Sequence, residues 1–87
     1  MIITQSARLL VRTYGASEKN VVVQNLGAAN SANVILAGTA SAAESGHGVV
    51  VAPQSGTPSL TVRGDLWAAV DPAQPSGTTQ TVEALIS

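Results

Sequence analysis

Residues 19–25 read KNVVVQN: three consecutive valines are flanked by polar residues and followed at once by Leu26-Gly27. A short β-branched run that ends in turn residues predicts a strand rather than a helix. Similar clusters of Val, Ile and Thr recur along the chain, separated by Gly, Pro, Asn and Ser. They predict strands at residues 7–14, 19–25, 32–37, 48–52, 59–63, 66–70 and 78–86.

The spacing of these strands predicts the fold class. About seven short strands, one roughly every ten residues, are typical of an all-β protein, a small antiparallel β-sandwich or barrel. The runs at 21–23 and 49–51 are apolar on both strand faces, which indicates a position inside the sandwich or a face covered by a neighbouring subunit. Residues 37–45 are rich in alanine but lack a helical apolar stripe, so we expect a loop with at most one turn there. Turns are expected at 14–17 and 53–56, and a loop at 71–77.

The domain organisation follows from the same pattern. Residues 7–87 form one predicted sandwich domain, preceded by an N-terminal arm at residues 1–6. Ile2 and Ile3 are an apolar pair at a chain end, where residues are usually disordered unless something holds them. We therefore expect both isoleucines to pack on a neighbouring subunit or on another partner, with the arm added to a sheet edge as a strand.

The small size of the chain predicts self-association. A chain of 87 residues buries a modest core, and this one has no cysteine for a disulfide. Association with further copies is the simplest source of additional stability.

Composition excludes several partners and chemistries. Four basic residues and a net charge of −1 offer no electrostatic footprint for nucleic acid. The uncharged stretch at 20–43 contains four Asn and one Gln, so it does not predict a membrane span. His47 is the single histidine, no Gly-x-Ser-x-Gly elbow occurs, and the five acidic residues are scattered. We expect a protein that is not an enzyme and has no cofactor; a metal shared between subunits on a symmetry axis stays open.

One strand carries a candidate partner interface. Arg8, Leu10, Arg12 and Tyr14 fall at alternate positions of the strand predicted at 7–14. These residues are either a solvated face or a docking stripe for an acidic protein surface, because Arg and Tyr are favoured at interface centres. Together with Ile2 and Ile3, they form the predicted interface.

Trp67 is the single tryptophan of a chain that lacks phenylalanine. Such a residue is expected to be the largest side chain of the core. The alternative is a contact with a partner or a sugar.

The order of short motifs resembles a known group of proteins. QNLG at 24–27 is followed by VILAG at 34–38, GDLWA at 64–68 and VEAL at 82–85. This order resembles the small β-sandwich proteins of tailed-phage virions, which include capsid decoration (cement) proteins and head accessory proteins.

The resemblance implies a non-enzymatic viral structural protein that binds between capsomers and stabilises the head. It implies a homotrimer, with the major capsid protein or another virion protein as partner. It places the protein on the capsid surface of the virion, after synthesis in the host cytoplasm. Two other possibilities stay open: a carbohydrate-binding or adhesin-type module that stacks a sugar on Trp67 or Tyr14, and a domain of a phage tail or head fibre.

Overall fold

The computed structural model describes residues 1–15 and 17–87, and in it two antiparallel sheets pack face to face. The prediction of an all-β sandwich is confirmed. The first sheet has the order β1-β9-β3-β6, with β7 also paired to β3, and its strands are β1 (Ile2–Ile3), β3 (Lys19–Asn25), β6 (Ser55–Gly56), β7 (Leu60–Val62) and β9 (Gln80–Ile86). The second sheet has the order β2-β8-β4-β5, and its strands are β2 (Arg8–Arg12), β4 (Val34–Ala37), β5 (Val49–Val51) and β8 (Asp65–Val70).

Each predicted strand corresponds to an observed one, and the strand at 19–25 has the predicted bounds. The two-residue strand β6 was not predicted, because two residues show no periodicity, and β1 was expected as a strand only on the sheet edge of another molecule. The turn predicted at 14–17 includes Ala16, which lies outside the described residues. At 53–56 a turn precedes Ser55, and Gln54 has a positive φ of 59°.

The helix α1 (Ala40–Glu44) lies in the region where we expected a loop with at most one turn. Thr39 caps it: its side chain accepts a hydrogen bond from the backbone N–H of Ala42. Ala43 is fully buried against the outer face of the second sheet. A threonine cap followed by alanines is a signal for this helix that the search for an apolar stripe missed.

The main core lies between the two sheets, and β3 shows how the sequence builds it. Val21 and Val23 point inward and are fully buried, as is Val82 of the neighbouring β9. Asn25, at the end of β3, also points inward beside Gln80, so the core has a polar end. Strand alternation places Val21, Val23 and Asn25 on the same inner face of β3.

Trp67 is not in that core, so the prediction of its place is wrong. On β8, Leu66 and Ala68 face the core, and Trp67 points to the opposite side of the sheet. There it is partly buried in a small outer cluster whose other members include Ala43 of α1 and Ala69. The short helix provides this second packing surface.

The N-terminal residues are a strand of this sandwich rather than a free arm. Ile3 is fully buried in the core, and Ile2 alternates to the outside with 54% of its surface exposed. β1 pairs with β9 through Ile3–Gln80 and Ile2–Thr81. The expectation that both isoleucines pack on another molecule is therefore wrong for Ile3, because the free edge of β9 already binds it.

Candidate partner-binding surface

The predicted stripe of Arg8, Leu10, Arg12 and Tyr14 does not form. A bulge in β2 between Leu9 and Val11 inserts one residue into the strand. Such an insertion moves every later side chain to the other face of the sheet. Arg8 is paired with Ala68, which faces the core, whereas Arg12 is paired with Asp65 on the outer side. The two arginines consequently point to opposite faces, and the prediction of a shared face is wrong.

Of the four residues, Arg12 and Tyr14 stay close together, because Tyr14, after Asp65, is one of the groups that raise the pKa of Arg12; the other two have different neighbours. Leu10 packs against the core, and Tyr14 is 74% exposed beyond the end of β2. Arg12 Nε donates to Asp65 Oδ1 at 3.2 Å, and Nη2 donates to Oδ2 at 3.4 Å. This hydrogen bonding and the charge of Asp65 raise the pKa of Arg12 above its ordinary value, so its guanidinium stays charged. Arg8 Nη1 donates to the backbone oxygen of Ile2 at 3.4 Å.

The strand β5, at the edge of the second sheet, consists of three valines, two of which are exposed. Within the part of the chain that the structure describes, β5 pairs with β4 alone. Val49 and Val50 are 49% and 55% exposed, whereas Val51 is buried. The run at 49–51 therefore lies at an open edge rather than between covered faces. Gly48 precedes this run, and a Cβ at that position would overlap the carbonyl oxygen of Leu36 on β4.

A cavity of about 350 Å³ opens where the end of β3 meets β6. It is lined by amide, hydroxyl and backbone groups and by one half-exposed leucine: Gln24, Asn25, Leu26, Gln54, Ser55 and Gly56. One of its lining residues also contacts β5, because Asn25 Nδ2 donates to the backbone oxygen of Val51 at 3.0 Å. We call β5 and this cavity together the β5 edge site.

A buried amide network holds the wall of the cavity. Asn25 Nδ2 donates to the backbone oxygen of Ala32 at 3.1 Å, and Gln80 Nε2 donates to the same oxygen at 2.6 Å. Gln80 Nε2 also donates to Ser31 Oγ at 2.9 Å. Among the described residues, every buried side-chain nitrogen and oxygen has a hydrogen-bond partner. The network ties β3, β9 and the loop between β3 and β4 together at the polar end of the core.

The segment that contains β5 carries no formal charge. Residues 45–62, which include β5, β6 and β7, contain no Asp, Glu, Lys or Arg. His47 lies just before β5, and its backbone N–H donates to the oxygen of Ala42 at 2.9 Å, at the end of α1. In residues 1–15 and 17–87, no three His, Asp or Glu side chains come close enough to hold a metal ion. Nor does any helix in these ranges have the length and apolar character needed to cross a membrane.

Sequence reasoning missed the β5 edge site, although part of its signal was visible. The run at 49–51 was recognised as apolar on both faces, and its lack of nearby charge can be read from the sequence. That β5 is an edge strand, and that Leu26 and Gln54 meet beside it, depends on the order of strands in the sheets. Comparisons with protein families, with curated proteins and with solved structures found no match to this chain.

Proposed function

We propose that this chain is a non-enzymatic structural protein that attaches to a larger protein assembly, in the manner of a tailed-phage capsid decoration protein. The observation that carries the proposal is the uncharged, half-exposed edge strand β5. An exposed apolar sheet edge is a place where another polypeptide can bind, and isolated proteins usually protect such edges. The resemblance of the motifs at 24–27, 34–38, 64–68 and 82–85 supports the choice of a virion protein.

The proposed partner is the major capsid protein or another virion protein, and the proposed location is the capsid surface, after synthesis in the host cytoplasm. Binding between capsomers would stabilise the assembled head by mass action, because the protein would bind the assembled state more tightly than free subunits. No nucleic acid, membrane or cofactor has a part in this proposal.

Co-sedimentation tests the proposal directly. The protein is mixed with empty heads assembled from the major capsid protein encoded nearest to it, and the mixture is separated on a sucrose gradient. We expect the protein to travel with the heads at a saturating, fixed ratio to capsomers, and to raise the temperature at which the heads disassemble. Failure to co-sediment, or the absence of a capsid gene from the genomic neighbourhood, would contradict the proposal.

The proposal includes a homotrimer, in line with the resemblance and with the small core. Sedimentation velocity at micromolar concentration measures this part separately. A monomer in solution that still binds heads would contradict the trimer and leave the attachment function in place.

A sugar-binding role is the second candidate, and the exposure of Tyr14 favours it. The residue is 74% exposed, and its ring is the group that would stack on a sugar face. A glycan array separates the two functions. Glycan binding that is lost in Tyr14→Ala, with no binding to heads, would support this candidate over the first.

A further inference from the structure

Two segments of the chain are joined at one end of the sandwich, where β2 ends and β8 begins. Thr13, directly after β2, donates its backbone N–H and its hydroxyl to the backbone oxygen of Gly64, both at 3.0 Å. The same hydroxyl accepts a hydrogen bond from the Gly64 N–H. Thr13 is buried, and Gly64 has a positive φ of 88°, which glycine adopts without strain. Side chains on both sides of this junction are therefore held in place before any partner binds.

Two exposed side chains flank Thr13. Tyr14 is 74% exposed, and its side chain lies close to that of Arg12. The Arg12 guanidinium is oriented by Asp65, which accepts hydrogen bonds from Nε and Nη2. Tyrosine and arginine are among the residues that most often dominate the binding energy of protein interfaces. The junction thus presents an oriented arginine beside an exposed aromatic ring.

Two further cations lie beside this junction. Arg63 has 70% of its side chain exposed, and Glu18 accepts a hydrogen bond from its Nε alone, at 2.9 Å. Both terminal nitrogens of Arg63 lack a hydrogen-bond partner within residues 1–15 and 17–87. Lys19 is exposed and pairs along the backbone with Val62, and no ion pair between described residues involves it. We call the four residues Arg12, Tyr14, Lys19 and Arg63 together the Arg–Tyr end.

Charge is unevenly distributed between this end and the rest of the chain. The residues joined there include three of the four basic side chains and two of the five acidic ones, Glu18 and Asp65. Their net charge is +1, whereas the rest of the chain, with one basic and three acidic side chains, has a net charge of −2. The Arg–Tyr end therefore attracts anionic groups, over distances of about 8 Å at physiological ionic strength.

From these features we infer that the Arg–Tyr end binds an acidic segment of a partner protein. A carboxylate of the segment pairs with the terminal nitrogens of Arg63, because the planar guanidinium matches a carboxylate with two parallel hydrogen bonds. An apolar side chain next to that carboxylate packs on the ring of Tyr14. This inference specifies a partner contact of the proposed function and rests on it.

The position of the Arg–Tyr end suits attachment between two subunits. Arg12 and Tyr14 lie at the end of β2, and β2 and β5 are the opposite edges of the second sheet. A protein that binds between capsomers has to contact both of them. Surfaces at opposite edges of one sheet can do this at the same time.

A second copy of this chain is the less suitable occupant. Three carboxylates lie outside the Arg–Tyr end, on α1, after β8 and on β9. Glu44 Oε2 already accepts from the Ala7 N–H at 2.7 Å, and Asp71 Oδ1 accepts from the Ala73 N–H at 2.9 Å. This leaves Glu83, which is a single carboxylate rather than an acidic segment.

Nuclear magnetic resonance with a model peptide tests the inference without phage heads. The probe is a seven-residue peptide of three Glu, one Leu and three Ala with blocked ends, added to ¹⁵N-labelled protein. We expect saturable shifts of the amide signals of residues 12–14, 18–19 and 62–65, with an affinity that falls as salt is added. The same peptide with Gln in place of each Glu is expected to produce no shifts there.

Matched variants locate the site. Arg63→Gln removes the proposed carboxylate contact and is expected to weaken peptide binding about two- to fivefold. Arg8→Gln makes the same change of side chain and net charge outside the Arg–Tyr end, where Arg8 Nη1 donates to the backbone oxygen of Ile2, and it is expected to bind normally. Tyr14→Ala is expected to weaken binding without changing its salt dependence, because it removes an apolar contact. Circular dichroism confirms that the variants are folded.

Several results would overturn the inference. These are no saturable shifts at millimolar peptide, equal shifts with the Gln peptide, or equal weakening by Arg63→Gln and Arg8→Gln. Shifts of the same residues with glucuronic acid and none with the peptide would identify an acidic sugar as the occupant and would refute it. Shifts there on concentrating the protein alone would identify a second copy and would also refute it.

Heads separate this inference from the proposed function. Equal co-sedimentation of the unchanged protein, Arg63→Gln and Tyr14→Ala would overturn the inference and leave the attachment function in place. A peptide that binds as expected, together with heads that fail to bind, would refute the proposed function and leave the acid-binding site established.

Discussion

Replacing each of the two N-terminal isoleucines in turn by alanine separates a structural strand from a free arm. The two residues are chemically identical and adjacent, so they are a matched pair. In the structure Ile3 is fully buried, and Ile2 is 54% exposed. Ile3→Ala should therefore destabilise the fold strongly, and Ile2→Ala should have a small effect.

The size of the effect follows from burial. Ile→Ala removes about three carbon atoms, and a buried methylene contributes ~0.8 kcal/mol, so the transfer term for Ile3 is ~2.4 kcal/mol. The cavity left between the sheets adds to this cost, which gives ~3 kcal/mol, within the usual range for such substitutions. The same change at Ile2 leaves no cavity, because half of that side chain is already in water. We expect less than ~1 kcal/mol there.

Urea unfolding followed by far-ultraviolet circular dichroism measures both values. In a domain of this size, the free energy of unfolding falls by ~1–1.5 kcal/mol per molar urea. Ile3→Ala should therefore lower the urea concentration at the unfolding midpoint by roughly 2 M or more. Equal slopes for the three proteins would show that stability, rather than the compactness of the unfolded state, has changed.

One result would refute this reasoning. If both variants lower the free energy of unfolding by the same small amount, under ~1 kcal/mol, then β1 detaches in solution and residues 1–6 behave as an arm. Removing residues 1–5 would then leave the urea midpoint unchanged. If β1 is part of the sandwich, that deletion destabilises it at least as much as Ile3→Ala does.

Three further substitutions test particular contacts by the same unfolding assay. Asn25→Ala removes the donors to the backbone oxygens of Ala32 and Val51. It should lower the free energy of unfolding by ~2–4 kcal/mol. A loss below ~1 kcal/mol would mean that water replaces the amide. Trp67→Ala should lower the free energy of unfolding by ~1–3 kcal/mol, because Trp67 is only partly buried and lies outside the main core. A core aromatic typically loses ~3–5 kcal/mol. Unfolding of the variant at room temperature would contradict this placement. Thr39→Ala should lower the free energy of unfolding by ~1 kcal/mol through loss of the helix cap, and Thr39→Ser should keep most of that stability. Equal losses in the two variants would exclude the cap as the cause.

The pattern within single strands could be predicted well from sequence. Residues 19–25 were assigned with their observed bounds, because alternation and β-branched residues are local properties of the chain. The same logic placed Leu66 and Ala68 on one face of β8, with Trp67 on the other. Alternation did not show that Trp67 lies outside the main core. The outer face of β8 is covered by α1, which comes from a distant part of the sequence.

The candidate site was less predictable. Arg8 and Arg12 were expected on one face, and a single bulged residue in β2 separates them. A bulge depends on how β2 fits against β8, more than fifty residues later in the chain, and no periodicity within β2 reveals it. The amide network was missed for a similar reason, since Asn25 and Gln80 are 55 positions apart and meet only when β3 pairs with β9.

The sequence by itself determined the fold class, the approximate strands and the absence of charge within residues 45–62. Composition and two-residue alternation are carried by neighbouring residues. The tertiary structure alone decided that Ile3 belongs to the core, that Arg8 and Arg12 point to opposite faces, and that β5 is an edge strand. Each of these depends on which strands become neighbours in space. Strand order and register are set by the packing of the whole chain, where the burial of many side chains at once outweighs any local preference.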